Sequence, residues 1–162
     1  MGADKDLEVM SEAAKLLDEF GVSYEVRIVS AHRTPDVMSD YAKTAKERGL
    51  KVIIAGAGGS AHLPGMTASE TPLPVLAVPV KLAHHDHEAL WSNIKMPTGI
   101  PLATMPENGA RNAGLMAVEI LSLADEALAQ KYDEYRKALH AGVRATDQKL
   151  VEQGWQAYLQ QN

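Results

Sequence analysis

The chain has 162 residues, a formal charge of −5 and no cysteine. One domain of this length buries a core without disulfide or metal staples. Disulfides, thiolate nucleophiles and cysteine-based zinc sites are excluded, and the lack of a long basic block excludes nucleic acid as an expected partner. No apolar run approaches the ~18 residues of a membrane span, and "MGADKDLEVM" lacks the apolar stretch of a signal peptide. A soluble cytoplasmic protein, with no membrane contact, is the expectation.

Residues 6–20 place Val9, Ala13, Leu16, Leu17 and Phe20 at helical spacing, with Asp4 or Asp6 as cap and Gly21 as stop. "YEVRIV" (24–29) reads as a strand. Residues 35–49 read as a helix, with Pro35 in its first turn and Gly49 after its end. "KVIIA" (51–55) is short and continuously apolar, as buried parallel strands are. "GAGGSAHLPG" then reads as a glycine-rich turn, and "MTASE" as a short helix. "VLAVPV" (75–80) is a strand, 86–95 a weak helix, "IPLAT" (100–104) a further strand and 109–123 a helix. Two helices follow, at roughly 125–140 and 143–160.

Strand–helix alternation predicts an α/β fold with a parallel sheet, whose ligands bind beyond the carboxyl ends of the strands. "SAHR" and "GAGGSAH" both fall on that rim. Val143, Leu150, Val151, Trp155, Tyr158 and Leu159 form a stripe on the last helix. The stripe has two readings, packing within the chain or contact with a neighbouring subunit.

"GAGGSA" (56–61) fits G-x-G-x-x-A, but the next strand ends "VPVK" without the acid that a nicotinamide site needs. Gly56, Ala57, Gly58, Gly59 and Ser60 are better explained by close backbone approach to something flat or small. No Walker motif and no G-x-S-x-G is present, and nothing marks an oxyanion hole beside Ser30. "HHDHE" (84–88) brings His84, His85 and His87 together with two carboxylates. Its spacing matches no established zinc pattern, so lining the site is favoured over metal binding. His32 and His62 are the two catalytic candidates, because both sit at strand-end turns on one rim. Arg33 is placed to act on the neighbouring imidazole or to hold a phosphate or carboxylate.

"VSAHRTPD", "VIIAGAGGSAHLPGM", "LPVLAVPV" and "MPTGIP" together resemble the PurE family. Its members are aminoimidazole ribonucleotide carboxylases and carboxyaminoimidazole ribonucleotide mutases of purine biosynthesis, and the likeness covers nearly the whole chain. The resemblance implies one flavodoxin-like domain over 1–162. Within it, an α/β core of three layers spans about 1–123, and C-terminal helices at about 125–162 serve oligomer contacts. It also implies a homo-octamer, a small-molecule substrate, and neither metal nor organic cofactor. By position, His32 matches the general acid/base at the carbon that gains or loses carboxylate. Ser30 and Arg33 match phosphate ligands, and Asp6 matches the ribose-hydroxyl acceptor. Gly56 to Gly59 with His62 match the wall around the base and the migrating carboxylate.

That chemistry calls for a proton donor at a carbon developing negative charge, a remote anchor, and a small dry pocket that retains carbon dioxide. The chain departs from the family at three places. The family's opening strand ends in M-G-S-x-S-D, whereas this chain starts at that Met1-Gly2, which predicts an open slot in the sheet. Ala3 and Lys5 stand where the family has serines, at an expected loss of ~1 kcal/mol in phosphate binding. His84, His85, His87, Trp91 and Glu107 give the closing loops a different composition. Two further readings therefore stand beside the purine activity. One is a paralogue that decarboxylates another small acid; the other is a non-catalytic binding or assembly module.

Overall fold

The computed structural model describes residues 1–83 and 87–160. The chain forms two compact units, Met1–Leu121 and Ser122–Asn162.

In the first unit, β1 (Ile53–Gly58), β2 (Val75–Val80) and β3 (Ala103–Thr104) form a parallel sheet in the order β1-β2-β3. Ile53 pairs with Val75 and Gly58 with Val80, while Leu76 pairs with Ala103. Side chains alternate between the two faces of a strand, so each strand serves two layers. Leu76 and Val78 pack with Met10 and Ala13 of α1 (Leu7–Phe20) and with Ala110, Ala113 and Ala117 of α5 (Ala110–Ser122). On the opposite face, Ala57 packs with Met38 of α2 (Pro35–Thr44), Leu63 of α3 (His62–Glu70) and Ala89 of α4 (Glu88–Ile94). The result is an α/β sandwich of three layers.

Several boundaries differ from the sequence reading. The segment 24–29 is extended but joins no ladder, because a strand is defined by its partner. Its backbone instead bonds to Met1: the Met1 ammonium donates to the Arg27 carbonyl (2.9 Å), and Val29 N–H donates to the Met1 carbonyl (2.8 Å). Gly2 N–H donates to the Gly56 carbonyl (3.0 Å), so Met1 and Gly2 lie between this segment and β1. Alternate residues Tyr24, Val26 and Ile28 stay exposed, Ile28 by 54%.

The strand expected at 51–55 runs 53–58 instead. Gly56, Ala57 and Gly58 therefore belong to the strand and not to the turn. Gly56 is there for close approach: a Cβ on it would lie 2.2 Å from the Met10 sulfur of α1. The strand at 100–104 shrinks to Ala103–Thr104. Neither Asp4 nor Asp6 caps α1 with its side chain; both lie in a 3-10 turn (Asp4–Asp6) ahead of it.

In the second unit a single helix, α6 (Glu126–Gln153), replaces the two expected, and α7 (Trp155–Leu159) follows it. Asp125 caps α6 by accepting Leu128 N–H at 3.0 Å. The break falls at Gly154 (φ 77°) and not near Gly142. Of the stripe, Val143, Val151, Trp155 and Leu159 are exposed, and Leu150 and Tyr158 are half-buried. No helix among the described residues is long and apolar enough to cross a membrane.

Candidate active site

Two turns at the carboxyl rim bring the two candidate histidines together. The first follows the extended segment. Ser30 N–H donates to Thr34 Oγ1 (3.0 Å), whose hydroxyl donates back to the Ser30 carbonyl (3.1 Å). This closed ring fixes the turn, and Pro35 at the helix start leads directly into α2. The second turn leaves β1 through Gly59 (φ 64°) and Ser60. Ala61 follows in a left-handed conformation (φ 43°, ψ 45°), and His62 opens α3. The outcome is a contact of 2.8 Å between His32 Nε2 and His62 Nδ1, with the rings edge to face. One nitrogen donates and the other accepts, so a single proton sits between the two imidazoles.

Arg33 does not engage either ring. Its Nε donates to Ser30 Oγ (3.3 Å), its Nη2 to the Gly2 carbonyl (3.3 Å), and its backbone N–H to Ser30 Oγ (3.2 Å). The neighbours in "SAHR" thus face different partners. One side chain gathers a hydroxyl and a cation beside Gly2, while the other meets a second imidazole.

Asp6 is 2% exposed. Its Oδ2 accepts Ala3 N–H at 3.1 Å, and its Oδ1 is buried without a partner. Burial pushes this carboxyl above its ordinary value, against the opposing pull of the Ala3 N–H and of Lys5. Lys5 is exposed, and its N–H donates to Asp4 Oδ1. The amides of Ala3 and Lys5 are therefore taken up by carboxylates. Any anion held at this rim rests on Arg33 and Ser30 rather than on those two N–H groups.

Beside His62 lies an open cleft of about 420 Å³, lined by Ser60, His62, Glu88, Trp91, Ser92 and Lys95. The Lys95 ammonium sits 5.4 Å from the centre of the Trp91 ring. His32, Arg33 and His62 are all exposed in this chain. The small dry pocket expected from the chemistry is thus not enclosed by these residues alone, because the turns that carry them stand on the outer rim.

His84 and His85 lie outside the described residues. His87 precedes α4 in a left-handed conformation (φ 57°), and its Nδ1 meets Glu107 Oε2 at 2.7 Å. Among the described residues no three His, Asp or Glu side chains form a metal-binding group. Sequence reasoning passes over Ala61 and Asn93, which shape the second turn. The available signal is a polar residue four after Ala89, on the helix stripe that faces the core.

Comparison with known proteins agrees with this fold and rim. The family model described as AIR carboxylase matches residues 1–142. The N5-carboxyaminoimidazole ribonucleotide mutase of Thermotoga maritima is 51% identical over 162 residues, covering 99% of this chain and 95% of that one. The Bacillus subtilis protein of the same name is 53% identical over 154 residues, covering 93% and 95%. The chloroplastic phosphoribosylaminoimidazole carboxylase of Vigna aconitifolia is 51% identical over 160 residues, of which this chain spans 29%. The crystal structure of Treponema denticola PurE superposes with a TM-score of 0.85 at 29% identity, over 93% of this chain and 94% of that one. A flavodoxin-like sheet, the paired rim histidines and this likeness over nearly the full length agree: the chain belongs to the AIR carboxylase (PurE) family and is a PurE-type enzyme of purine biosynthesis.

Proposed function

We propose that the chain is a carboxyaminoimidazole ribonucleotide mutase, which moves a carboxyl group from a ring-attached nitrogen to a carbon of the imidazole. The observation that carries this reading is the 2.8 Å contact of His32 with His62 beside the Ser30–Arg33 anchor. His32 donates a proton to the nitrogen as its bond to the carboxyl group breaks, releasing carbon dioxide and the neutral amine. The electron-rich ring carbon then attacks carbon dioxide, and His32, now a base, removes the hydrogen from that carbon. One proton is given and one is taken, so a single imidazole serves both halves. His62 holds the other end of the shared hydrogen and sets which His32 nitrogen carries a proton. Arg33 and Ser30 hold the phosphate, and Asp6 accepts from a ribose hydroxyl. Binding energy far from the reacting carbon then fixes the ring beside His32. Ser60 and the backbone of Gly58 and Gly59, where β1 leaves the core, wall the base, while Trp91 and His87 belong to the closing side.

Assembly as a homo-oligomer, an octamer by family resemblance, belongs to the same proposal. The exposed stripe on α6 and α7 supports it.

The test is turnover of N5-carboxyaminoimidazole ribonucleotide, followed by its ultraviolet change. Full-length protein converts it, and His32→Asn abolishes conversion while leaving binding in place. No conversion by the wild-type chain, together with tight binding of a non-phosphorylated carboxylic acid, would replace this reading with that of a decarboxylating paralogue.

A further inference from the structure

The left-handed backbone at Ala61 is unusual for an alanine, and it stands directly before His62. Its N–H donates to the Gly58 carbonyl at 3.3 Å. Its carbonyl accepts from Asn93 Nδ2, also at 3.3 Å. The same nitrogen donates to the Ala89 carbonyl one helical turn back, at 2.6 Å. Both partners are carbonyls and can only accept, so the amide orientation is fixed by chemistry. Asn93 Oδ1 is consequently left buried with no partner. The residue is 1% exposed, and Thr104 Oγ1 of β3 donates to its backbone carbonyl at 3.2 Å. A half-satisfied buried amide carries a cost in stability, and what its nitrogen supplies in return is the one bond that reaches across to the Ala61 carbonyl.

We infer that Asn93 is a positioning residue for the histidine pair: it pins the Ala61 carbonyl, holds that residue in its left-handed conformation, and so aims the His62 ring at His32. If Ala61 relaxed toward the ordinary helical region, the peptide leading into His62 would rotate and carry the imidazole away from its 2.8 Å partner. Thr104 ties this pin to the edge of the sheet, so β3, α4 and the second turn form one support. The inference rests on the reading of His32 and His62 as the proton-moving pair.

The experiment uses the full chain with Asn93→Ser, Ala61→Gly and Thr104→Val. Serine keeps the bond to the Ala89 carbonyl but is too short to reach Ala61. Asn93→Ser is expected to lower kcat about tenfold or more, as misplacement of about 1 Å or less does, with KM changed less than about twofold. The imidazole nitrogen resonances of His32 and His62 should shift in the unliganded protein. Glycine adopts the left-handed region freely, so adding Ala61→Gly to Asn93→Ser should restore much of the lost kcat. If Asn93→Ser does not fold, the isosteric Thr104→Val reads the same support, with a smaller loss of kcat and the same shift of the resonances.

A folded Asn93→Ser protein with wild-type kcat and unshifted resonances would overturn the inference. So would failure of Ala61→Gly to recover activity, or an unaltered Thr104→Val protein where that variant is the one read. If the wild-type chain proves inactive as a mutase, the resonances still decide whether Asn93 places the rings, so the two failures are told apart.

Discussion

Asp6→Asn should make the free protein more stable and a poorer enzyme. The carboxylate is 2% exposed, keeps one backbone donor and leaves Oδ1 without a partner. Asparagine retains the oxygen that accepts from Ala3 and removes the buried charge. The amide nitrogen that replaces Oδ1 is again a buried polar atom without a partner, so the gain comes only from no longer burying a charge. Each kcal/mol gained in this way raises Tm by about 2–4 °C for a chain of this size. The pH dependence follows from the upward shift of Asp6. A raised native pKa means that the folded state binds the proton more tightly. The stability this confers is complete below the ordinary aspartate value of 3.8 and is lost as pH rises through the native value. The advantage of the asparagine variant is therefore largest at neutral pH and shrinks in acid. Loss of a charge-assisted bond to a substrate hydroxyl costs about 1.5–3 kcal/mol, or about 10- to 100-fold in KM. Calorimetry at neutral pH and at a pH below 3.8 reads the stability, and steady-state kinetics reads the catalytic cost. A lower Tm for the variant at neutral pH, or a gap that does not change in acid, would refute the reasoning.

Three further outcomes are expected. Gly56→Ala drives a methyl group into the Met10 side chain and should cost about 1–3 kcal/mol in urea unfolding, and with Met10→Ala in the same chain the combined loss should be less than the sum of the two separate losses. Arg33→Lys loses the fork that spans Ser30 and Gly2, so KM for a phosphorylated substrate should rise about tenfold with kcat within about threefold. His87→Phe strands the largely buried Glu107 carboxylate and should lower stability by about 1–3 kcal/mol, measured by thermal melting, with Glu107→Gln in the same chain recovering part of the loss.

Elements whose signal is local can be read from the residues. The unbroken apolar run of β2 predicts 75–80 in full, because a strand buried on both faces needs no alternation. The spacing of Ala13, Leu16, Leu17 and Phe20 likewise predicts the buried face of α1. The segment 24–29 misleads because its local propensity is that of a strand, while pairing is not a local property. A break near Gly142 is expected from the sequence, yet a glycine inside a helix costs only about 1 kcal/mol, which 28 residues of continuous helix absorb. At the rim, the residue types of His32, His62, Arg33 and Asp6 are legible. The approach of the two imidazoles is not, since it depends on a left-handed alanine and on a carbonyl pinned from another helix.

The rim around His32 and His62 lies open, and this bears on the fate of a one-carbon fragment. Carbon dioxide set free beside exposed side chains diffuses into the medium far faster than a ring carbon captures it. A faithful transfer then requires a roof contributed by substrate, by the side of the cleft that carries Trp91, or by another copy of the chain. Isotopically labelled bicarbonate in the assay would gauge how well that roof seals, because label entering the product counts the fragments that leaked out and were replaced.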